Sequence, residues 1–191
     1  HEDHIGGMQA VVEEFPVGEI YMPRVAHTSK VFEELLLAIQ QQGLHIKTAK
    51  AGVSLLTEQD LNFTIIAPLS REYEQLNDYS VVTRLVYGNT AFLLTGDAEA
   101  VSENEMLAAG TTLQTDVLKV GHHGSVSSTT IAFLKAVKPR YAVISVGKDN
   151  DYGHPHQETL AKLEKAKVKL YRTDVCGTII ATSDGRKIKF A

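Results

Sequence analysis

Cysteine and tryptophan are nearly missing from this chain: among 191 residues Cys176 is the single cysteine, and there is no tryptophan. One cysteine excludes an internal disulfide and a cysteine-rich zinc site. The longest apolar run, residues 35–39, is far shorter than the roughly 20 residues that span a bilayer, so we expect no membrane contact by this domain itself. Any metal site must therefore use carboxylates and the eight histidines.

Charge is unevenly distributed along the chain. The net charge is −4, yet the segment from Lys135 to the end carries twelve Lys or Arg against six Asp or Glu. Such a basic segment suits contact with phosphates, although a solvated lysine surface is the more common explanation. The net charge alone therefore indicates no nucleic-acid partner.

Length and composition fit one domain over residues 1–191, since 43% hydrophobic residues are enough for one sizeable core. The chain begins at His1 without methionine, and we expect a segment upstream of it. Localisation and oligomeric state are therefore not predicted from this sequence.

Short β-like runs alternate with helical stretches along the chain. Helices are predicted over residues 5–15, from a cap at Thr28 to a stop at Gly43, over 98–108, from Ser128 onward and over 156–165. Strands are predicted over residues 20–22, 46–51, 61–68, 80–87, 90–95, 117–120, 141–146, 170–172, 178–182 and 187–190. The alternation predicts a layered α/β fold, and the hairpin around Gly88-Asn89 predicts a mixed rather than a purely parallel sheet.

Potential metal ligands occur at the start of the chain and again at Asp97. His1, Asp3 and His4 lie in a predicted tight loop and could converge on one or two ions, although a charged terminal segment explains them as well. Asp97 ends an apolar strand, where it is either a metal ligand or the N-cap of the next helix.

Histidines also mark two later loops that follow β runs, where strand ends hold side chains rigidly. His122-His123-Gly124-Ser125 follows a buried strand, and paired histidines are poor core residues because each needs hydrogen-bond partners. His154 lies in a third loop and is otherwise explained as a surface residue.

Together these loops resemble the metallo-β-lactamase superfamily, whose dinuclear site uses a His-x-His-x-Asp-His loop, a downstream ligand, an Asp and a last His. Residues 1–4 match the second half of that loop, and Asp97 in LLTGD matches the bridging Asp. KVGHHGS at 119–125 and YGHP at 152–155 are similar to the C-terminal domain of ComEC-type DNA-uptake proteins of bacteria. The resemblance implies an αββα fold whose N-terminal strands are absent from this chain.

The resemblance also implies a ligand set and catalytic roles. Two divalent ions, zinc or manganese, would be held by the ligands listed here: His1, Asp3, His4, Asp97 and His123. His122 would be the acid that faces the phosphate, with His154 as a second candidate, and Asp3 would also orient a hydroxide. Gly124 and Ser125 would contact phosphate oxygens.

One position departs from the superfamily pattern. Asn77 or Asp78 stands where most members place a third-motif histidine, and an amide there would weaken one metal site. Asn77 is therefore predicted to face the substrate.

The implied function is metal-dependent hydrolysis of a phosphodiester, with DNA as the partner during uptake. The parent protein would then be bound to the cell membrane or envelope. A free-standing hydrolase of a small phosphodiester or ester is an alternative enzyme. A degenerate domain that binds nucleic acid or another partner is the alternative outside enzymes.

Overall fold

A computed structural model describes residues 1–191. The chain divides into two compact units, residues 1–49 and residues 50–191. The prediction of a single domain over residues 1–191 stays a prediction. No helix combines the length and the apolar character that crossing a membrane requires.

The first unit is built from three helices and two short strands. These are α1 (Glu2–Ile5), α2 (Met8–Glu14), β1 (Ile20–Met22), α3 (Lys30–Gln41) and β2 (Ile46–Thr48). Strands β1 and β2 pair in parallel. Its small core consists of five apolar side chains, Val12, Ile20, Leu35, Ala38 and Ile39.

Helix boundaries in this unit differ from the prediction at two places. The predicted helix over residues 5–15 corresponds to α2 over residues 8–14, and the separate α1 before it includes Asp3 and His4, so these two residues do not form a loop. Acidic residues in a first turn stabilise a helix N-terminus, which the loop prediction overlooked. Helix α3 is capped by Ser29 rather than Thr28, because the Ser29 side chain accepts the Phe32 N–H at 3.3 Å.

The second unit contains a seven-stranded sheet, four helices and a terminal hairpin. The strands of the sheet are β3 (Ser54–Glu58), β4 (Leu61–Ala67), β5 (Val82–Tyr87), β6 (Thr90–Leu94), β7 (Val117–Lys119), β8 (Tyr141–Ile144) and β9 (Lys169–Arg172). The helices are α4 (Ala100–Ala108), α5 (Ile131–Val137), α6 (Gln157–Lys165) and α7 (Thr173–Cys176), and the hairpin is β10 (Ala181–Ser183) with β11 (Ile188–Phe190).

The sheet is mixed, and its order follows the chain from β3 to β9. Strands β3 to β6 are antiparallel, whereas β6 to β9 are parallel. Buried residues of one sheet face, among them Leu93, Leu118 and Ile144, form the main core with apolar residues of α4, α5 and α6. Because parallel strands end at one edge, the segments after β6, β7 and β8 lie together there, and this edge carries the site.

Other boundaries in this unit also differ from the prediction. Strand β3 was not predicted, since four of its five residues are exposed and show no clear alternation. Helix α5 begins at Ile131, capped by Thr130, whose side chain accepts the Phe133 N–H, rather than at Ser128. The predicted strand over residues 178–182 begins only at Ala181.

Candidate active site

Asp97 occupies a tight turn between β6 and α4. Its side chain is 6% exposed, and its N–H donates to the Ser80 side chain at 3.0 Å. The preceding Gly96 has φ of +53°, and a Cβ there would lie 3.1 Å from Ser80. The positive φ and this close approach both favour glycine before Asp97.

The helix-cap interpretation of Asp97 is wrong. The N-cap position of α4 belongs to Glu99, whose side chain makes no capping bond. Instead Asp78, from the segment before β5, accepts the N–H groups of Glu99 and Ser102 at 3.3 and 3.2 Å. Burial raises the pKa of Asp78, and the two backbone donors oppose that shift.

His122 and His123 follow β7 in a left-handed turn. Their φ angles are 45° and 51°, and Gly124 continues with 86°. Adjacent side chains point in opposite directions on extended backbone, and the left-handed backbone removes that alternation for this pair. Both imidazoles instead approach Asp97, with Nε2 of His123 at 3.5 Å and Nε2 of His122 at 3.8 Å from its carboxylate oxygens.

The two imidazoles have different partners on their other nitrogen. Nδ1 of His123 lies 2.7 Å from the carbonyl oxygen of Ser145, just after β8. Nδ1 of His122 lies 2.9 Å from the Glu99 carboxylate. A carbonyl oxygen only accepts, so Nδ1 of His123 carries a hydrogen, and Nε2 is the ring nitrogen that can bind an ion.

Thr173, at the start of α7, fixes the backbone that supports His123. The Val146 N–H donates to the Thr173 hydroxyl at 2.8 Å, and this hydroxyl lies 2.8 Å from the Val146 carbonyl oxygen, which it can donate to. Val146 directly follows Ser145, whose carbonyl orients the His123 ring. Thr173 therefore holds the end of β8 in the position that this ring needs.

Glu99 is a functional residue that the sequence analysis missed. Its Oε1 accepts hydrogen bonds from the Asn77 side-chain amide at 3.1 Å and from the Ser127 hydroxyl at 2.9 Å, besides its contact with His122. The only signal in the sequence is an acidic residue two positions after Asp97, which is equally typical of a helix N-terminus. The same contacts place Asn77 beside His122, with Nδ2 at 3.5 Å from Nδ1.

His154 brings a third imidazole to this edge. Its ring centroid lies 5.4 Å from that of His122 and 6.4 Å from that of His123. Burial lowers the pKa of His154, the neighbouring His156, His122 and His123 lower it further, and Asp97 opposes them. A neutral ring is thereby favoured at this position.

Gly124 and Ser125 contact their own loop and also α6 and the segment that leads into it. A Cβ on Gly124 would lie 2.6 Å from the Pro155 side chain, so the two loops touch closely here. The Ser125 N–H donates to the His122 carbonyl at 2.7 Å, and the Ser125 hydroxyl lies 2.9 Å from that of Ser127. Phosphate contacts from Gly124 and Ser125 stay a prediction.

Of the remaining predicted ligands, three lie in the first unit. Nε2 of His4 is 3.4 Å from the Asp3 carboxylate, and both side chains are exposed. His1 precedes α1, where its carbonyl accepts the His4 and Ile5 N–H groups, and its ring contacts His27. Whether the ligands of the two units share one site stays a prediction.

The model of the metallo-beta-lactamase superfamily matches residues 1–148, which include the Asp97 turn and the His122-His123 turn. The chain belongs to the metallo-beta-lactamase superfamily. Members of this superfamily are usually metal-dependent hydrolases. The residues Asp97 and His123 offer ligand atoms within 4.8 Å of each other, a spacing that suits one bound ion.

Three relatives have competence-related or recombination-related names. The chain is 35% identical to ComE operon protein 3 of Bacillus subtilis, over 93% of this chain and 23% of that protein. Recombination protein 2 of Haemophilus influenzae is 32% identical, over 93% of this chain and 20% of that protein. Competence protein ComA of Neisseria gonorrhoeae is 33% identical, over 93% of this chain and 23% of that protein. The chain thus spans about a fifth to a quarter of each relative's length.

A solved structure supports the fold independently of sequence. A mutant of CmlA beta-hydroxylase superposes with a TM-score of 0.57 at 10% identity, over 90% of this chain and 41% of that one. The predicted α/β fold of metallo-β-lactamase type, with a mixed sheet, is confirmed. The resemblance to ComEC-type competence proteins is confirmed as well.

Proposed function

We propose that this chain is a metal-dependent phosphodiesterase domain whose substrate is DNA. The arrangement of Asp97, His122 and His123 carries the proposal. A buried carboxylate faces two imidazoles, and each imidazole is oriented by an acceptor on its far nitrogen. Metal sites in proteins are commonly supported by such acceptors, which fix the tautomer and the direction of a histidine ligand.

The residues present fit a divalent ion. The Nε2–carboxylate separations of 3.5 and 3.8 Å exceed a direct hydrogen bond, and carboxylate and imidazole are the donors that zinc and manganese accept. We propose Asp97 and His123 as ligands, and a ligand role for His1, Asp3 and His4 of the first unit stays a prediction. Two ions are proposed, and Asp97 would supply carboxylate oxygens to hold them.

A bound divalent ion would supply a more acidic water and a polarised phosphoryl oxygen. His122 is proposed to give a proton to the leaving oxygen of the phosphodiester. Its contact with Glu99 favours this role, because a carboxylate partner orients the ring and stabilises the imidazolium that donates the proton. Nδ1 of His123 faces a carbonyl oxygen rather than a carboxylate, which suits a metal ligand.

The other predicted residues would bind and orient the substrate. Asp3 is proposed to orient the attacking water, and Asn77, Gly124 and Ser125 to contact phosphate oxygens. His154 is the second candidate for the proton donor, although burial lowers its pKa and favours the neutral ring.

DNA is proposed because of the relatives. Their names refer to competence and recombination, and the similarity covers 93% of this chain in each case. We propose that the chain acts on DNA during uptake as part of a protein bound to the cell envelope. The basic segment after Lys135 is consistent with a phosphate-rich substrate.

The test combines metal content with hydrolysis. The purified chain should bind zinc or manganese, and with metal it should cleave a single-stranded oligonucleotide and bis(4-nitrophenyl) phosphate. Asp97→Asn should reduce both metal content and cleavage, whereas Glu164→Gln on exposed α6 should change neither. Cleavage of the nitrophenyl ester without cleavage of DNA would favour the small-substrate hydrolase. Metal-free protein that binds DNA without cleaving it would favour the degenerate domain.

A further inference from the structure

Tyr152 presents an exposed aromatic ring next to the histidines of the candidate site. It lies in the loop between β8 and α6 and is 78% exposed, the highest value among the large hydrophobic side chains. Its ring lies nearly parallel to that of His154, with centroids 5.8 Å apart and planes 20° apart. His154 in turn stacks with His123 at 19°. The Tyr152 ring is thus near-parallel to the His154 ring, which is itself near-parallel to the His123 ring.

The loop that carries this ring is held in place by hydrogen bonds between the Asn150 side chain and the backbone of the loop. The Asn150 side chain donates to the carbonyls of Gly147 and His154 at 3.1 and 2.7 Å and accepts the His154 N–H at 3.0 Å. Gly153 has φ of +69°, a left-handed conformation that lets the chain reverse between Tyr152 and His154. The backbone on either side of Tyr152 is therefore held in place, which lowers the entropy cost of stacking on its ring.

Charge around the ring does not favour a phosphate. Asp149 and Asp151 flank the loop, both exposed, with Lys148 as the nearest cation in sequence. Attraction of a nucleic-acid backbone to this loop would be opposed by the two carboxylates. The exposed Tyr152 ring instead offers stacking with a flat ring of a ligand, which needs no charge.

We propose that Tyr152 stacks with an unpaired base of the DNA strand, one step along from the phosphodiester that the site hydrolyses. The inference rests on the proposed function and narrows its substrate to single-stranded DNA. In a duplex the faces of the bases are covered by their neighbours, so an exposed protein ring reaches them only in a single strand. Every base has such a face, and Tyr152 therefore contributes affinity without sequence preference.

The absence of tryptophan makes a direct test available. Tyr152→Trp introduces a single indole, whose fluorescence a stacked base should quench. The probe is a phosphorothioate oligonucleotide, which resists hydrolysis, added to the metal-loaded chain. Tyr87→Trp is the matched control, since Tyr87 lies at the far end of the β5–β6 hairpin, packs near Gly185 and is also partly exposed.

We expect the single strand to quench the indole of Tyr152→Trp strongly. An abasic strand of equal charge and a duplex should each quench it weakly. Tyr152→Leu should weaken binding of the single strand roughly 5- to 150-fold, and Tyr152→Phe should restore it. That loss should be nearly the same at low and high salt, because it reflects stacking rather than charge.

Two results would overturn the inference, and they differ in what they say of the proposed function. If anisotropy shows that the strand binds while the indole of Tyr152→Trp is unquenched, or no more quenched than that of Tyr87→Trp, stacking at Tyr152 is refuted and DNA hydrolysis stands. If no strand binds and the unmodified chain fails to cleave DNA, both proposals fail together.

Discussion

Glu103 on α4 supports the loop that follows the histidines, and replacing it with glutamine should destabilise the fold. The residue is 2% exposed, and its two carboxylate oxygens accept the N–H groups of Thr129 and Thr130 at 2.5 and 2.8 Å. Thr129 is held at φ of 51°, at the end of the loop and immediately before the cap of α5. Glutamine keeps the shape of the side chain but replaces one acceptor oxygen with an NH₂ group.

The expected loss in the free energy of unfolding follows from the exchange of an acceptor oxygen for an NH₂ group. One of the two backbone N–H groups would face a donor, and a buried donor left without an acceptor costs about 1–3 kcal/mol. Removing the buried charge offsets part of this loss, since burial raises the pKa of Glu103 against the opposing effect of its backbone donors. The protonated acid keeps a hydroxyl oxygen that can still accept, so glutamine remains the poorer partner at acid pH.

The pH dependence has a definite sign. Because the pKa of Glu103 is raised in the folded state, the stability that Glu103 contributes relative to glutamine is fully present below the ordinary glutamate pKa. It declines as pH rises through the folded-state value. Urea unfolding followed by circular dichroism, from about pH 5 to about pH 8, should therefore show Glu103→Gln least stable relative to the parent at the acid end.

Glu164→Gln, on the exposed surface of α6, serves as the control and should change the free energy of unfolding little at any pH. A Glu103→Gln variant as stable as the parent at the acid end would refute the role of the two backbone contacts. A parent whose advantage grew with pH would show that the sign of the pKa shift is wrong.

Three further predictions concern the site itself. His123→Ala should lower metal content and turnover together. His122→Ala should retain metal and lose roughly 100-fold in turnover on DNA, and it should lose less on a nitrophenyl ester, because that leaving group needs no proton. Loss of metal in His122→Ala would instead mean that the two roles are exchanged. Asn77→His should tighten the weaker of two metal sites in a titration, and two equally tight sites in the parent would contradict the idea of a replaced ligand. Thr173→Val removes the hydroxyl that holds Val146, and it should weaken metal affinity by about 10-fold or more, as loss of a residue that orients a ligand does; unchanged metal affinity at unchanged stability would exclude that role.

The sequence alone determined the parts of the molecule that local chemistry decides. Apolar runs predict the strands, and the Gly-Asn turn predicts the β5–β6 hairpin. The structure confirms this hairpin. Asp97 and His122-His123 stood out because polar residues directly follow buried strands. The alternation of elements predicts the layered α/β fold, since that pattern has few stable arrangements, and the hairpin predicts the mixed sheet.

Only the tertiary structure decided which of these side chains meet and what holds them. The side chain of Asp78, rather than that of Asp97, caps α4, although Asp78 lies 21 and 24 residues before Glu99 and Ser102, whose N–H groups it accepts. Glu99 became visible as a partner of His122 only once β6 and β7 were placed side by side. The direction of His122 depends on left-handed backbone angles that neither propensity nor spacing predicts. Residue type and spacing set what a side chain can bind, but contacts between distant segments set where it points.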